Sequence, residues 1–533
     1  MASSTPVARR RGTSPVRVLL AAFFVVSVLV PLVALATHLF QPGTFAVFGT
    51  AAFAEALGNS VVSALLGTLA SLALALAAAL CLTRTRVRLP QVWVVVLTLP
   101  MLIPSIAHGM GLIYLFGSSG IVTQALGASW NVYGLPGIVL GSVMYAFPPA
   151  FLMLYDALRY ENCVVYDAAD IMGIPRLSQL AKITLPYLKK PLISATFATF
   201  TLIVTDYGVP IMIGGKYTTL SVLMYQEVVG RLNLDSGVAI GSVLILPALV
   251  AFVVDLVTSN QANLGFGAQA RRIQPRPARD GASLVFRCVL AAFLVAPLAA
   301  FVVVAFVTKY PVDLAPTLAN VQRALVFNMP SYWLNSVVIG LVVAAAGSLL
   351  AWFAAYVSAR TPGRFGKGLH LACITTMAIP GIVLGLSYML FFKGSFLYGT
   401  LAILILVNLV HFFANPYLMA YNALNKLNAS LEAVGQTLGI PRLSMIKDVL
   451  LPQTKSTLLE MASYFFVNCL VTISAVSFLT NVAHMPLALL ISDFDSQLMI
   501  ECAALVALVI FVTNVVAKVF FYALKHVVLA PLR

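Results

Sequence analysis

Charge is what this 533-residue chain has least of: Asp, Glu, Lys and Arg together make up 9%. A soluble domain carries about 25%, so most of this chain cannot present an ordinary water-facing surface. Acids are scarcer than bases, 17 against 32, which leaves a net charge of +15. That excess does not form a nucleic-acid face, because the basic residues sit in short clusters between apolar runs. Cysteine is also sparse. Cys81, Cys163, Cys288, Cys373, Cys469 and Cys502 form no C-x-x-C pair, so neither a zinc site nor a disulfide framework is indicated. They read as small buried apolar residues. The six histidines form no H-x-x-x-H pair, and His108, inside an apolar run, reads as a hydrogen-bonded core residue. There is no P-loop. Gly214-Gly215-Lys216-Tyr217 and Phe365-Gly366-Lys367-Gly368 lack the first glycine and the Ser/Thr after Lys. No catalytic residue, metal site or cofactor is therefore expected in this chain.

What is abundant is apolar surface, 61% of residues. Lipid is the natural solvent for it. A bilayer crossing needs about 20 apolar residues. Twelve runs qualify, at 18–39, 56–82, 91–116, 135–157, 190–213 and 237–259, then 284–308, 331–359, 368–392, 397–422, 456–480 and 498–524. The first follows Arg9-Arg10-Arg11 and resembles a secretion signal, but it is longer than a usual signal core and reads as an uncleaved span. With twelve spans and an inside start, 27 basic residues lie inside and 5 outside, accounting for all 32. The positive-inside rule therefore places both termini in the cytoplasm.

The chain also repeats itself. Gly173-Ile174-Pro175-Arg176-Leu177-Ser178 recurs as Gly439-Ile440-Pro441-Arg442-Leu443-Ser444, 266 residues on. Asn59-Ser60-Val61-Val62 matches Asn335-Ser336-Val337-Val338, and Arg84-Thr85 matches Arg360-Thr361, both 276 residues on. Six spans per half is an even number, so the halves share one orientation, a parallel repeat. Within each repeated loop a glycine can end a short helix in the left-handed conformation. The following Ile is kept out of helix by the next Pro, and that Pro can open a second helix. The expectation is a small helix lying off the membrane. An exposed Ile174 or Ile440 would fill a pocket in a partner docked beneath.

These loops resemble the cytoplasmic signature of permease subunits of binding-protein-dependent ABC importers: E-A-A, three residues, Gly, then I-x-L-P. The first copy supplies Asp167-Ala168-Ala169, Gly173 and Ile183-Thr184-Leu185-Pro186, with Asp for Glu. In the second, Ala433-Val434-Gly435 fills the E-A-A slot, Gly439 and Val449-Leu450-Leu451-Pro452 match, and Glu432 sits one residue early. Thr205-Asp206-Tyr207-Gly208-Val209-Pro210, then Ile213-Gly214-Gly215, is similar to a stretch of the fused iron(III) and 2-aminoethylphosphonate permeases. The fused form itself resembles these and the thiamine permeases.

The resemblance implies an all-α membrane protein with twelve transmembrane helices as two parallel six-helix repeats, the type I importer permease fold (MetI-like). It implies a cytoplasmic tail at 1–17, a first repeat at 18–259 with its coupling loop at 160–189, and a linker at 260–283. A second repeat at 284–524 with its loop at 425–455, and a tail at 525–533, complete the division. It implies a bacterial inner-membrane location, two copies of an ATP-binding cassette ATPase that hold the ATP and Mg, and a periplasmic solute-binding protein. The coupling residues it implies are Asp167, Ala168, Ala169, Gly173, Ile174, Pro175 and Pro186, with Glu432, Ala433, Gly439, Ile440, Pro441 and Pro452. Asp206 and Tyr207 are candidates for the translocation path, because an acid inside a membrane is a functional candidate. The bland alternative is that Asp206 reaches the outer interface and water. Ferric iron or an organophosphonate is the expected solute, with thiamine or a polyamine as alternatives. The competing classes are an ion-coupled secondary transporter, which needs acid or histidine relays at mid-membrane, and a membrane enzyme or insertase, which needs clustered polar side chains.

Overall fold

The computed structural model describes residues 15–128, 130–161, 164–259, 275–361, 363–428 and 430–529. Cys163, the basic cluster at 9–11 and most of the 260–283 linker lie outside them. Helices dominate. The first half comprises α1 (Pro15–His38), α2 (Ala51–Arg84), α3 (Pro90–Leu102), α4 (Ser105–Phe116), α5 (Leu135–Arg159), α6 (Val164–Ile171), α7 (Leu185–Val204), α8 (Gly208–Ile213), α9 (Leu220–Tyr225) and α10 (Leu234–Ser259). The second comprises α11 (Pro277–Ala305), α12 (Met329–Arg360), α13 (Arg364–Ala378), α14 (Gly381–Phe392), α15 (Leu401–His411), α16 (Ala414–Asn425), α17 (Leu431–Thr437), α18 (Leu451–Val471), α19 (Leu487–Ser496) and α20 (Ile500–Leu529). A two-stranded hairpin, β1 (Val307–Lys309) with β2 (Asp313–Pro316), follows α11.

Among the described residues, eight helices are long and apolar enough to cross a membrane, or up to ten if each of two bent pairs is one span. The twelve expected runs are thus not twelve plain helices. The run at 91–116 breaks at Pro104, between α3 and α4, and the run at 368–392 turns by 106° between α13 and α14, at Pro380. Proline removes a backbone donor and clashes with the preceding turn. The run at 397–422 bends by 51° between α15 and α16. The runs at 190–213 and 456–480 correspond to α7 and α18, which are long enough but diluted by Lys189 and Lys190, and by Lys455, Glu460 and Asn468.

The packing is that of a protein in lipid. α2 buries Ala56, Ser60, Ala64, Gly67, Ser71, Ala75 and Ala78 and exposes Val61, Leu65 and Leu69. Small residues face inward because lipid gives no hydrophobic drive between helices; close backbone approach does that work. The face that meets α5 and α7 is this small-residue face.

The halves are interlocked. α1 packs on α14 of the other half, with the Tyr388 hydroxyl donating to the Ser27 carbonyl at 2.6 Å. In the mirrored arrangement α11 packs on α4 of the first half, where a Cβ on Gly111 would overlap Pro297. Each half thus completes its core with the first helix of the other.

The repeat extends to individual hydrogen bonds. Ser60 Oγ accepts from the Leu220 N–H at the start of α9, and Ser336 Oγ accepts from the Leu487 N–H at the start of α19, both at 2.7 Å. Asn59 Nδ2 donates to the Thr218 carbonyl at 3.0 Å; Asn335 Nδ2 donates to the Ala483 carbonyl at 3.1 Å.

Candidate functional site

The repeated loops fold alike. In the first, α6 ends when Gly173 takes φ +69°. The Ile174 N–H reaches back to the Ala169 carbonyl at 3.0 Å and the Gly173 N–H to the Asp170 carbonyl at 3.2 Å. In the second, Gly439 takes φ +67°, the Ile440 N–H reaches the Gly435 carbonyl at 2.8 Å, and the Gly439 N–H reaches Gln436 at 3.2 Å. This is the Schellman closure, which satisfies carbonyls a helix end would leave open. Pro175 and Pro441 are extended, at ψ 144° and 147°, and short helices begin at Arg176 and Arg442. Each then passes through one π turn, Leu180–Thr184 and Ile446–Leu450, before α7 and α18 begin with Pro186 and Pro452 in their first turns.

The third E-A-A position must be small. Ala169 is buried, and the side chain of Gln179 closes the loop above it, donating to Asp170 Oδ1 at 2.7 Å and to the Ile174 carbonyl at 2.9 Å. In the second copy Met445 takes the place of Gln179, and a Cβ on Gly435 would overlap its Cε. Asp167, Ala168 and Ala433 are exposed.

Ile440 is exposed, at 40%, while Ile174 is half-buried, and other apolar side chains of the loops project further. Ile171, Met172 and Leu177 stand out in the first loop, at 88%, 67% and 80%; Leu438 and Leu443, the counterparts of Met172 and Leu177, stand out in the second, at 69% and 75%. Glu432 does not face away from the protein. Its carboxylate accepts from Arg360 Nε and Nη2, both at 2.5 Å.

Asp206 is buried, 9% exposed. Its carboxylate accepts from the Gly208 N–H at 3.2 Å and the Val209 N–H at 3.0 Å, with Ser105 as a further hydrogen-bond partner. It caps α8 after the break that follows α7. Tyr207 stacks on Tyr225 at 5.2 Å and shares a 2.7 Å hydrogen bond with Ser477 of the other half. His108 is buried, its Nδ1 3.2 Å from the Pro104 carbonyl, which accepts. Among the described residues no group of three or more His, Cys, Asp or Glu could hold a metal.

A glycine–serine contact marks the join between broken spans in both halves. A Cβ on Gly208 would overlap Ser105 Oγ; a Cβ on Gly381 would overlap Ser474 Oγ. The repeat aligns Gly208 with Ser474 and Ser105 with Gly381, so the same contact is made with the residues exchanged.

The family described as binding-protein-dependent transport system inner membrane component matches this sequence twice, at residues 71–261 and 347–526. The chain belongs to this permease family. Each match starts inside the second helix of its half, α2 or α12, and takes in one complete loop. The permease is 25% identical over 403 residues to the ferric transport system permease protein FbpB of Actinobacillus pleuropneumoniae, covering 72% of this chain and 58% of that one. It is 23% identical over 424 residues to the thiamine transport system permease protein ThiP of Escherichia coli, covering 76% of each. It is 25% identical over 232 residues to the molybdenum transport system permease protein ModB of Mycobacterium bovis, covering 43% of this chain and 88% of that one. The permease spans only 58% and 63% of the length of two of its relatives, from A. pleuropneumoniae and Haemophilus influenzae.

Proposed function

We propose that this chain forms the translocation path of an ATP-driven importer, with two ATPase subunits docked on its two loops and a solute-binding protein on the opposite face. The observation that carries this reading is the duplicated loop: two short helices, each closed by a left-handed glycine and each presenting a paired apolar projection. A symmetric pair of such loops fits a symmetric pair of engines. The docking residues are Asp167, Ala168, Gly173, Pro175, Met172 and Leu177, with Ala433, Gly439, Pro441, Leu438 and Leu443. Ala169, Pro186 and Pro452 shape the loops from behind.

Counting α3 with α4, α7 with α8, both bent pairs and α18 as crossings gives twelve, with the basic clusters inside. ATP-driven closure of the engines would swing the halves from inward- to outward-facing, and solute would pass between them near the Tyr207–Ser477 contact. No residue of the chain performs covalent chemistry. Ferric iron is the first candidate solute, supported by the likeness to the ferric permease; thiamine is the second. The secondary-transporter reading is disfavoured because the Asp206 carboxylate is already engaged by two backbone N–H groups.

The test is ATP hydrolysis by the chain assembled with its ATPase in lipid. The binding protein is added empty, loaded with ferric iron, or loaded with thiamine. Stimulation by the ferric form alone is expected. Equal rates with all three forms would contradict the reading.

A further inference from the structure

Arg84 and Arg360 are the last residues of α2 and α12 and occupy equivalent places in the repeat. Both are turned toward the neighbouring loop helix. Arg360 uses its whole guanidinium. Nε and Nη2 hold the Glu432 carboxylate in α17, Nη1 donates to the Leu427 carbonyl at 3.0 Å, and Nη2 donates to the Asn428 carbonyl at 2.8 Å. The side chain is 6% exposed, so the pair is largely shielded from solvent. A two-pronged Arg–carboxylate contact fixes orientation as well as distance.

The first half reaches the same end with different residues. Arg84 pairs with Glu161, which is 4% exposed and lies just before α6. Its guanidinium carbon stands 4.2 Å above the ring of Tyr166, in α6 itself. The Tyr166 hydroxyl donates to Glu161 at 2.5 Å and shares a 2.7 Å hydrogen bond with Thr184, at the end of the π turn. Burial pushes the Tyr166 phenol up to about 12, so it stays a donor at neutral pH. Tyr166 and Glu432 are 266 residues apart, so the repeat places both at one position of the loop helix, each facing the equivalent arginine of its own half.

We propose that Arg84 and Arg360 are positioning residues that lock each loop helix to the second helix of its own half, so that a push from the ATPase moves the span rather than bending the loop. This rests on the importer reading above. It also explains why the acid of the second loop sits one residue early: Glu432 is a latch turned inward, not a docking contact. The latch is a direct ion pair in the second half. In the first it passes through Glu161 and an aromatic ring.

The test uses the full chain with its ATPase in lipid and binding protein loaded with ferric iron, and reads ATP hydrolysed per iron imported. Arg360→Ala and Glu432→Ala are expected to keep the ATPase bound and to raise that ratio about tenfold. The exchanged pair Arg360→Glu with Glu432→Arg restores the ion pair but not the donation to the Leu427 and Asn428 carbonyls, so it is expected to recover part of the coupling, which a merely structural loss would not do. Tyr166→Phe, which keeps the ring under Arg84 and removes two hydrogen bonds, is the mild variant for the first half, with about a threefold rise. A wild-type ratio in Arg360→Ala and Tyr166→Phe would overturn the proposal. So would loss of ATPase binding in Glu432→Ala alone, which would make Glu432 a docking residue. A wild-type complex that the loaded binding protein fails to stimulate would overturn the importer reading beneath it.

Discussion

Gly381 has no room for a methyl group. A Cβ there would overlap Ser474 Oγ and lie 2.9 Å from His411 Cε1. Gly381→Ala should therefore destabilise the join between α14 and the segment after α18. Overpacking of this kind costs about 1–3 kcal/mol. The unfolding midpoint in lipid should fall, and adding Ser474→Gly should restore part of it; no fall would show that the join is loose. At this scale the sequence is partly legible. Gly173 and Gly439 can be assigned their left-handed φ from the Gly-Ile-Pro order alone, since glycine reaches that region without the usual penalty and Pro bars helix before it. Asp206 illustrates the opposite case. Its position suggests a carboxylate near water, but burial depends on the fold around the break after α7, and the local sequence does not encode the two N–H groups that satisfy it. Arg84 and Arg360 are visible as an identity between halves. Their partners are not, because Glu161 and Glu432 do not align.

Among the elements, the π turn that ends each repeated loop is a feature that hydropathy cannot reveal. Leu180–Thr184 and Ile446–Leu450 fall at the same point of the repeat, just where each loop rejoins the membrane. A π turn is one extra residue in an α-helix. Deleting the exposed Ala181 should restore plain α geometry and rotate everything before it by about 100° relative to α7. The chain should still insert in the membrane, while stimulation of the ATPase by loaded binding protein should fall about tenfold. Unchanged stimulation would mean that the loop's orientation does not matter. The broken spans were legible in part. Pro104 and Pro380 each stand inside an apolar run, yet length and hydropathy carry the eye across them; the bends of 106° between α13 and α14 and 51° between α15 and α16 show crossings that are not straight.

The whole molecule is held by exchange. α1 belongs by sequence to the first half and by packing partly to the second, and α11 does the reverse. A parallel repeat was readable from the spacing of matched residues, but which half each first helix joins was not, because an apolar helix facing lipid on one side carries little information about its partner. The interlock gives the halves a common pivot, so motion imposed at both loops is expected to open and close one central path.

That expectation is tested most directly by uptake of ferric iron into proteoliposomes holding the chain and its ATPase, with loaded binding protein outside and ATP inside. The account predicts uptake that requires internal ATP, survives collapse of ion gradients by ionophores, and disappears when residues 173–178 are deleted from a chain that still folds. Uptake that follows an imposed ion gradient without ATP, and survives the deletion, would contradict it.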